Sequence, residues 1–259
     1  MTNPQNDWNP EAYERFRGLR LRPALDLLAQ VPALPPGAVV DLGCGTGAVG
    51  PALRQRFPDR VLVAVDSSSS MLEQAAGTGC YDTLLPADIA DWSPAVPPAL
   101  IFSNAALQWL DDHDALFPRL AAGLAAGGVL AVQMPHQSAA PSHGLLHQLA
   151  ARLWPGRFPP EPRRPVAEPT AYWRLLSPFG RVEIWQTEYL QGLPPASVGH
   201  PVRHFTESTA MRPYLQPLAK DEADAFTAAY DRALSAAYPL LPDGGVLFPF
   251  RRLFFTLQV

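Results

Sequence analysis

The segment VVDLGCGTGAVG, from Val39 to Gly50, constrains the fold of this chain more than any other segment. A short apolar run carries one aspartate and passes into a turn with glycine at every second position, at Gly43, Gly45 and Gly47. Glycine has no Cβ, so such a turn can adopt positive φ and its backbone can approach a ligand closely. The segment therefore predicts a buried strand, a bare turn and a helix that begins at once.

Short apolar or β-branched runs alternate with helical patterns between residues 37 and 133. The predicted strands are Ala38–Leu42, Val61–Val65, Thr83–Ala87, Leu100–Ser103 and Val129–Gln133. The predicted helices are Ala48–Phe57, Ser68–Ala76 and Asp112–Ala125, with serines 67 to 70 placed where the second of these needs its N-cap. Strands that alternate with helices over short connections predict a parallel sheet covered on both faces.

The segments on either side of this block carry different patterns. Glu11–Ala29 predicts an amphipathic helix, and residues 195–240 are helical and aromatic. Residues 135–170, rich in Pro, Arg and His, predict an excursion over the sheet edge. Further predicted elements are the helix Ala167–Leu176 and the strands Arg181–Leu190 and Arg251–Val259. We expect one domain overall, with an N-terminal helical cap (1–36), a core (37–134) and a remainder (135–259) that carries helical lid insertions at about 135–166 and 195–245.

Composition excludes several classes of protein. A net charge of -4 gives no basic stripe for nucleic acid, and no apolar run reaches the roughly 18–20 residues of a membrane span. The N-terminus has no signal-peptide core, and two cysteines make neither a metal pattern nor a disulfide framework. We expect a cytoplasmic protein, a monomer or weak homodimer, that binds no metal, nucleic acid or membrane.

The glycine turn alone does not identify its ligand, because Gly45, Gly47 and Gly50 also fit the dinucleotide fingerprint. Asp41, just before the turn, would repel a pyrophosphate but suits a sulfonium or an amino group. Acidic residues after two further strands can accept ribose hydroxyls and an adenine amino group, which favours S-adenosylmethionine over a nicotinamide cofactor. The predicted cofactor-binding residues are Tyr13, Asp41, Gly43, Gly45, Gly47, Asp66, Ser67, Asp88, Ile89 and Asn104.

Several stretches along the chain match a known family: DWNPEAYERF, VVDLGCGTG, VDSSSSMLEQA, ADIADW, FSNAALQWLDDHDALFPRL, GGVLAVQMP, MRPYL and PFRRLF. In these stretches the chain resembles class I S-adenosylmethionine-dependent methyltransferases, and among them the trans-aconitate 2-methyltransferases. The resemblance implies a Rossmann-like, mostly parallel seven-stranded α/β sheet whose last strand is antiparallel. It also implies methyl transfer to a carboxylate of trans-aconitate, giving a monomethyl ester and S-adenosylhomocysteine.

A carboxylate acceptor with an ordinary pKa near ~4 is already ionised at neutral pH, so this chemistry requires no general base. It does require positive charge, and arginine holds a carboxylate with two parallel hydrogen bonds. The arginines considered are Arg20, Arg22, Arg203, Arg212 and Arg252, of which Arg203 stands outside the matching stretches and Arg212, in AMRPYL, is preferred. The predicted substrate-binding residues are Trp8, Arg20, Arg22, Asn104, Tyr172, Arg212 and Arg252.

Other interpretations of the same residues stay open at this point. The acceptor is alternatively a malonyl thioester or another dicarboxylate, or an amine or phenol. A nicotinamide-dependent oxidoreductase and a catalytically silent S-adenosylmethionine binder are further alternatives. His143 and His147 have the i, i+4 spacing of metal ligands but lack an accompanying carboxylate, and we interpret Cys44 as a small filler of the turn.

Overall fold

The computed structural model describes residues 17–159, 166–207 and 209–259. Its strands are β1 (Val39–Leu42), β2 (Leu62–Asp66), β3 (Thr83–Pro86), β4 (Leu100–Asn104), β5 (Val129–Pro135), β6 (Arg181–Leu193) and β7 (Val246–Gln258). Its α-helices are α1 (Arg17–Ala29), α2 (Gly50–Arg56), α3 (Ser69–Gly77), α4 (His113–Ala122), α5 (Pro141–Leu153), α6 (Pro169–Leu176), α7 (Pro201–Glu207), α8 (Arg212–Leu215) and α9 (Lys220–Ala237). Short 3₁₀ helices cover Leu107–Trp109 and Ser177–Phe179.

The strands form one seven-stranded sheet in the order β3-β2-β1-β4-β5-β7-β6. Strands β1 to β5 pair in parallel, and β7 runs antiparallel to β5. This arrangement confirms the predicted sheet with an antiparallel last strand. The strand order reverses between β1 and β4, and ligands of open α/β sheets bind outside the carboxyl ends of the strands at such a switch.

Side chains alternate between the two faces of the sheet, as strand geometry requires. One face carries Leu42, Ile101, Val132 and Phe255, which pack into a large apolar cluster with Phe117 of α4 and other buried residues. The intervening residues point to the opposite face. At the carboxyl ends of the strands several of these are polar, and they form the candidate site below.

Local sequence signals explain several element boundaries. The Ser68 hydroxyl accepts a hydrogen bond from the Met71 backbone N–H and so caps α3. Pro141 stands in the first turn of α5, where its missing N–H costs nothing, and this helix lies inside the segment predicted as an excursion. Strand β7 begins at Val246, before the predicted Arg251, because its alternation of buried and exposed residues extends through VLFPF.

The chain forms two compact units. One contains residues 20–135, 165–187 and 251–259, and so holds the glycine turn and β1 to β5. The other takes its described residues mainly from 136–164 and 188–250, and its core includes Val202, Phe226 and Phe248. Within that unit the Tyr230 hydroxyl of α9 donates to the Ser142 carbonyl of α5 over 2.8 Å. No helix in the described ranges combines the length and apolar character that a membrane span needs.

Candidate functional site

The three alternating glycines all adopt positive φ, at +76° for Gly43, +54° for Gly45 and +74° for Gly47. A Cβ at Gly43 would lie 2.3 Å from the Ala106 Cβ, and one at Gly47 would lie 2.9 Å from the Ala75 Cα. A Cβ at Gly45 would meet no atom within 4 Å. The outer glycines therefore permit close packing inside the protein, whereas Gly45 leaves open space beside the backbone of the turn.

Asp66 fixes the turn from the end of the neighbouring strand β2. One carboxylate oxygen accepts the Gly45 N–H over 2.9 Å, and the other accepts the Ser68 N–H over 2.9 Å. A carboxylate has about four lone-pair directions, so two remain for other donors. The half-buried Asp66 is thus able to accept the vicinal hydroxyls of a ribose, the role predicted for it, and the predicted Ser67 is exposed beside it.

The acidic segment after β3 lies partly against the same turn. Ile89 is half-buried, and its Cδ1 is 3.1 Å from the position of a Cβ on Gly43. Asp88 is exposed and accepts the Ala90 N–H over 2.9 Å. The structure therefore brings Ile89 to the turn as an apolar contact, while Asp88 lies exposed.

Asp41 is buried at 2% exposure on β1, and its carboxylate accepts the Tyr81 hydroxyl over 2.5 Å. Burial raises the pKa of Asp41 to about 7, the Tyr81 hydrogen bond opposes this increase, and the negative charge of Asp66 adds to it. Burial also raises the pKa of the Cys44 thiol in the turn. Cys44 is therefore a protonated packing residue and not a nucleophile.

Four polar side chains lie in a row across one face of four neighbouring strands. In the sheet register, Asp41 of β1 pairs with Phe102, and Asn104 of β4 pairs with Gln133. Gln133 of β5 pairs with Phe254, and Arg252 lies two residues before Phe254 on β7, on the same face. Adjacent strands are ~4.8 Å apart, so β1 and β7 are ~14 Å apart across the sheet. The row runs diagonally, because Asp41 is level with Thr256 of β7, four residues from Arg252. We call Asp41, Asn104, Gln133 and Arg252 the polar row.

The polar row carries a buried carboxyl group at one end and a buried cation at the other. Gln133 is fully buried, Arg252 is 3% exposed, and the Arg252 Nη1 donates to the Gln133 Oε1 over 3.1 Å. Within the described residues, the Gln133 Nε2 and the Asn104 Oδ1 are buried without a hydrogen-bond partner. Such groups cost about 1–3 kcal/mol each and are rare in native proteins, so together they indicate a place for a polar ligand.

Two of the residues in this arrangement were missed by sequence reasoning. Gln133 stands in LAVQMP, which was interpreted only as a strand and a family marker, although a glutamine in an apolar buried strand is itself a signal. Tyr81 precedes β3 outside any motif, and its ring is 2.9 Å from the position of a Cβ on Gly50. Only the fold brings Tyr81 to Asp41.

The predicted arginines differ in their surroundings. Arg22 is exposed and pairs with Asp26 over 2.9 Å, one helical turn away. Arg203 is buried, and its Nε donates to Asp231 over 2.9 Å, which makes it a structural residue. Arg212 is half-buried at the start of α8, where its side chain makes no hydrogen bond or ion pair with other described residues. Of Arg20 only the backbone in α1 is described, and Trp8 and Tyr13 lie outside the described residues.

Tyr172 is a correction to the predicted site. Its side chain is 1% exposed inside the apolar cluster on the face opposite the polar row. Its hydroxyl lies 2.6 Å from the His113 Nδ1 and accepts the Ala167 N–H over 3.0 Å. The ring packs edge-on against Phe117. Tyr172 therefore packs in the core, and we remove it from the candidate substrate-binding residues.

The chain is similar to known methyltransferases over most of its length. A family model for the methyltransferase domain matches residues 13–191. The chain is 42% identical over 257 residues to a trans-aconitate 2-methyltransferase of Acidovorax ebreus, with 98% of each chain covered. It is 40% identical over 254 residues to one of Escherichia coli, again with 98% of each covered. A solved phosphoethanolamine N-methyltransferase 2 of Haemonchus contortus, in complex with S-adenosyl-L-methionine, is 16% identical with a TM-score of 0.55, over 95% of this chain and 56% of that one.

Proposed function

Because this chain belongs to the S-adenosylmethionine-dependent methyltransferases, we propose that it methylates one carboxylate of trans-aconitate or a similar small polycarboxylate. The products are the monomethyl ester and S-adenosylhomocysteine. The full-length relatives named above support this acceptor. The observation that carries the proposal is the polar row, which places a buried carboxyl group beside the glycine turn and a buried guanidinium two strands beyond Asn104.

The residues of the glycine turn fit S-adenosylmethionine, which supplies an electrophilic methyl group on a positively charged sulfur. Gly45 leaves room for a ligand against the backbone, and Asp66 has lone pairs for two ribose hydroxyls. Ile89 offers an apolar wall for an adenine ring. Asp41 supplies negative charge near the positive groups of the cofactor, and the Asn104 Oδ1 is an acceptor suited to its ammonium group.

The opposite end of the polar row suits an organic anion. Arg252 carries a fixed positive charge in a planar fork, the geometry that grips a carboxylate best. Arg212, half-buried at the start of α8 and without a partner among the described residues, stays a predicted acceptor-binding arginine. Each additional carboxylate of the acceptor requires such a partner if it is to leave water.

Catalysis in this arrangement depends on position rather than on proton transfer. The acceptor carboxylate is ionised at neutral pH, so no side chain has to remove a proton. Holding the carboxylate oxygen in line with the methyl group supplies roughly 7–11 kcal/mol of the barrier reduction that intramolecular reactions show. Excluding water from the buried polar row also removes the hydration that weakens a carboxylate nucleophile.

The proposal is tested by incubating the protein with isotopically labelled S-adenosylmethionine and a panel of acceptors, followed by mass spectrometry. The panel contains trans-aconitate, cis-aconitate, isocitrate, a malonyl thioester, an amine and a phenol. We expect one labelled methyl ester, formed fastest from trans-aconitate. A labelled amine or phenol with no labelled acid would assign another acceptor class, and thermal stabilisation by NADH but not by S-adenosylhomocysteine would contradict a methyltransferase.

A further inference from the structure

The side-chain amide of Gln133 has a fixed orientation inside the polar row. Arginine is only a donor, so the contact with Arg252 over 3.1 Å requires the Gln133 oxygen on the Arg252 side. The Gln133 NH₂ group must then point away from the guanidinium. It is fully buried and has no hydrogen-bond partner within the described residues. A donor held in this way needs an acceptor atom that the described protein residues do not supply.

The position of Gln133 indicates which ligand supplies that atom. In the sheet register Gln133 lies directly beside Asn104 on the adjacent strand, and Asn104 lies two residues beyond Phe102, the partner of Asp41. The glycine turn follows Asp41 at the same edge of the sheet. Gln133 is therefore ~5 Å from β4, the neighbour of the strand that leads into the glycine turn, and it is bonded to the Arg252 cation on the other side. The Gln133 NH₂ needs an acceptor, and the nearby Arg252 guanidinium favours an acceptor atom with negative charge.

We propose that Gln133 and Arg252 together form the subsite that binds the acceptor carboxylate, with Gln133 as the specificity-determining residue for an anionic acceptor. This inference rests on the proposed methyltransferase function and adds the location of the acceptor to it. The Gln133 NH₂ donates to one carboxylate oxygen, and the Arg252 guanidinium donates to the other or to a neighbouring carboxylate. Neutral acceptors gain only the amide hydrogen bond and no attraction to the positive charge of Arg252.

A glutamate at this position distinguishes binding from a merely structural role. Gln133→Glu has nearly the same shape, keeps an oxygen for Arg252 and replaces the NH₂ donor with negative charge. If the amide only supports Arg252, the variant keeps or improves that contact and the acceptor kinetics stay normal. If the subsite binds a carboxylate, the variant repels it, and we expect KM for trans-aconitate to rise about ten- to hundredfold.

The experiment compares four proteins: the natural chain, Gln133→Glu, Gln133→Met and Gln191→Glu. Gln133→Met removes the donor without adding charge and keeps the test valid if the glutamate variant does not fold. Gln191 is another buried glutamine with an unpartnered oxygen in the described residues, on strand β6, and serves as the matched control. Steady-state kinetics with trans-aconitate are measured beside calorimetric binding of S-adenosylhomocysteine, which confirms that each variant is folded.

We expect both Gln133 variants to raise KM for trans-aconitate while the affinity for S-adenosylhomocysteine stays within about twofold, and the Gln191 variant to match the natural chain. An unchanged KM in both Gln133 variants overturns the subsite. An increase in KM in the Gln191 variant equal to that in the Gln133 variants also overturns the subsite. If the natural chain methylates no acid in the panel, the proposed function itself fails, and that outcome is distinct from normal kinetics in the variants.

Discussion

The hydroxyl of Tyr81 donates a hydrogen bond over 2.5 Å to the buried carboxylate of Asp41, forty residues earlier in the chain. This contact joins the loop before β3 to the strand that leads into the glycine turn. The hydrogen bond favours the charged form of Asp41, while burial and Asp66 favour the neutral form. Tyr81 therefore raises the fraction of Asp41 that is charged at neutral pH, beside the proposed cofactor site.

The first prediction concerns the pH dependence of cofactor binding. Burial raises the pKa of Asp41 to about 7, so the group loses its charge as pH falls through 7. A ligand with positive charge prefers the ionised carboxylate, so we expect the affinity for S-adenosylmethionine to rise between pH 6 and 8 and then level off. Calorimetry at several pH values across this range measures the affinity. Asp41→Asn should bind more weakly at pH 8 and show a flat profile, and an unchanged slope in that variant would refute the role of Asp41.

Asp41 also affects the free energy of unfolding, which should fall with rising pH whereas the cofactor affinity rises. Its folded pKa lies above its unfolded value near 3.8, so the folded state holds more protons between these two values. The stability of the protein without cofactor should therefore decrease as pH rises from about 4 to 7, by at most about 4 kcal/mol from this group. Denaturant titrations of the natural chain and of Asp41→Asn isolate the contribution. A difference in the free energy of unfolding between the two proteins that does not change with pH would contradict this role of Asp41.

The second prediction is that Tyr81→Phe shifts the cofactor-binding profile towards higher pH. The ring stays in place against Gly50, but the hydrogen bond that lowers the pKa of Asp41 is lost. We expect weaker binding at pH 7 and near-normal binding at higher pH, where Asp41 is charged again. Equal weakening at every pH would mean that Tyr81 acts only through packing.

The third prediction is that Asp66→Ala weakens S-adenosylhomocysteine binding by about 1.5–3 kcal/mol for each hydrogen bond lost to a ribose hydroxyl. The substitution also removes the carboxylate that accepts hydrogen bonds from the Gly45 and Ser68 N–H groups. Glu73→Ala, an exposed change of the same charge on α3, is the control and should bind normally. Calorimetric affinities that are equal in the two variants would remove Asp66 from the cofactor site.

The fourth prediction separates two arginines of the second unit. Arg212→Met should raise KM for trans-aconitate and leave cofactor affinity and melting temperature near normal. Arg203→Met should instead lower stability by about 1–3 kcal/mol, because Asp231 loses its buried partner but keeps the hydrogen bond from the His200 N–H. Thermal unfolding and steady-state kinetics on both variants measure the difference. Normal kinetics in Arg212→Met would exclude it from the acceptor site.

Sequence patterns predicted the sheet well because its evidence is local. Each of β1 to β5 is a short apolar run followed by residues that favour a turn, and the glycine turn can be recognised without any distant contact. Asp41 and Asp66, the proposed cofactor residues, could be named from the sequence for the same reason, since strand ends are visible there. The register that aligns Asn104 with Gln133 is not local, so the polar row could be found only from the fold.

Side chains whose environment depends on tertiary packing were predicted less well. The sequence around Tyr172 does not distinguish a ligand-binding tyrosine from a core tyrosine. Its burial against Phe117 in the structure shows that it is a core residue. The contact between Tyr81 and Asp41 crosses from one loop to another strand and leaves no periodic signal. The acceptor arginines were ambiguous because arginine serves equally for structural pairs such as Arg203–Asp231.

The most direct measurement is a crystal structure of the protein with S-adenosylhomocysteine and trans-aconitate bound together. We expect the adenosine against the glycine turn with its ribose on Asp66, and one carboxylate of trans-aconitate on Gln133 and Arg252. An acid bound away from both of these residues, or an adenosine that makes no contact with Asp66, would contradict the arrangement of cofactor and acceptor along the polar row.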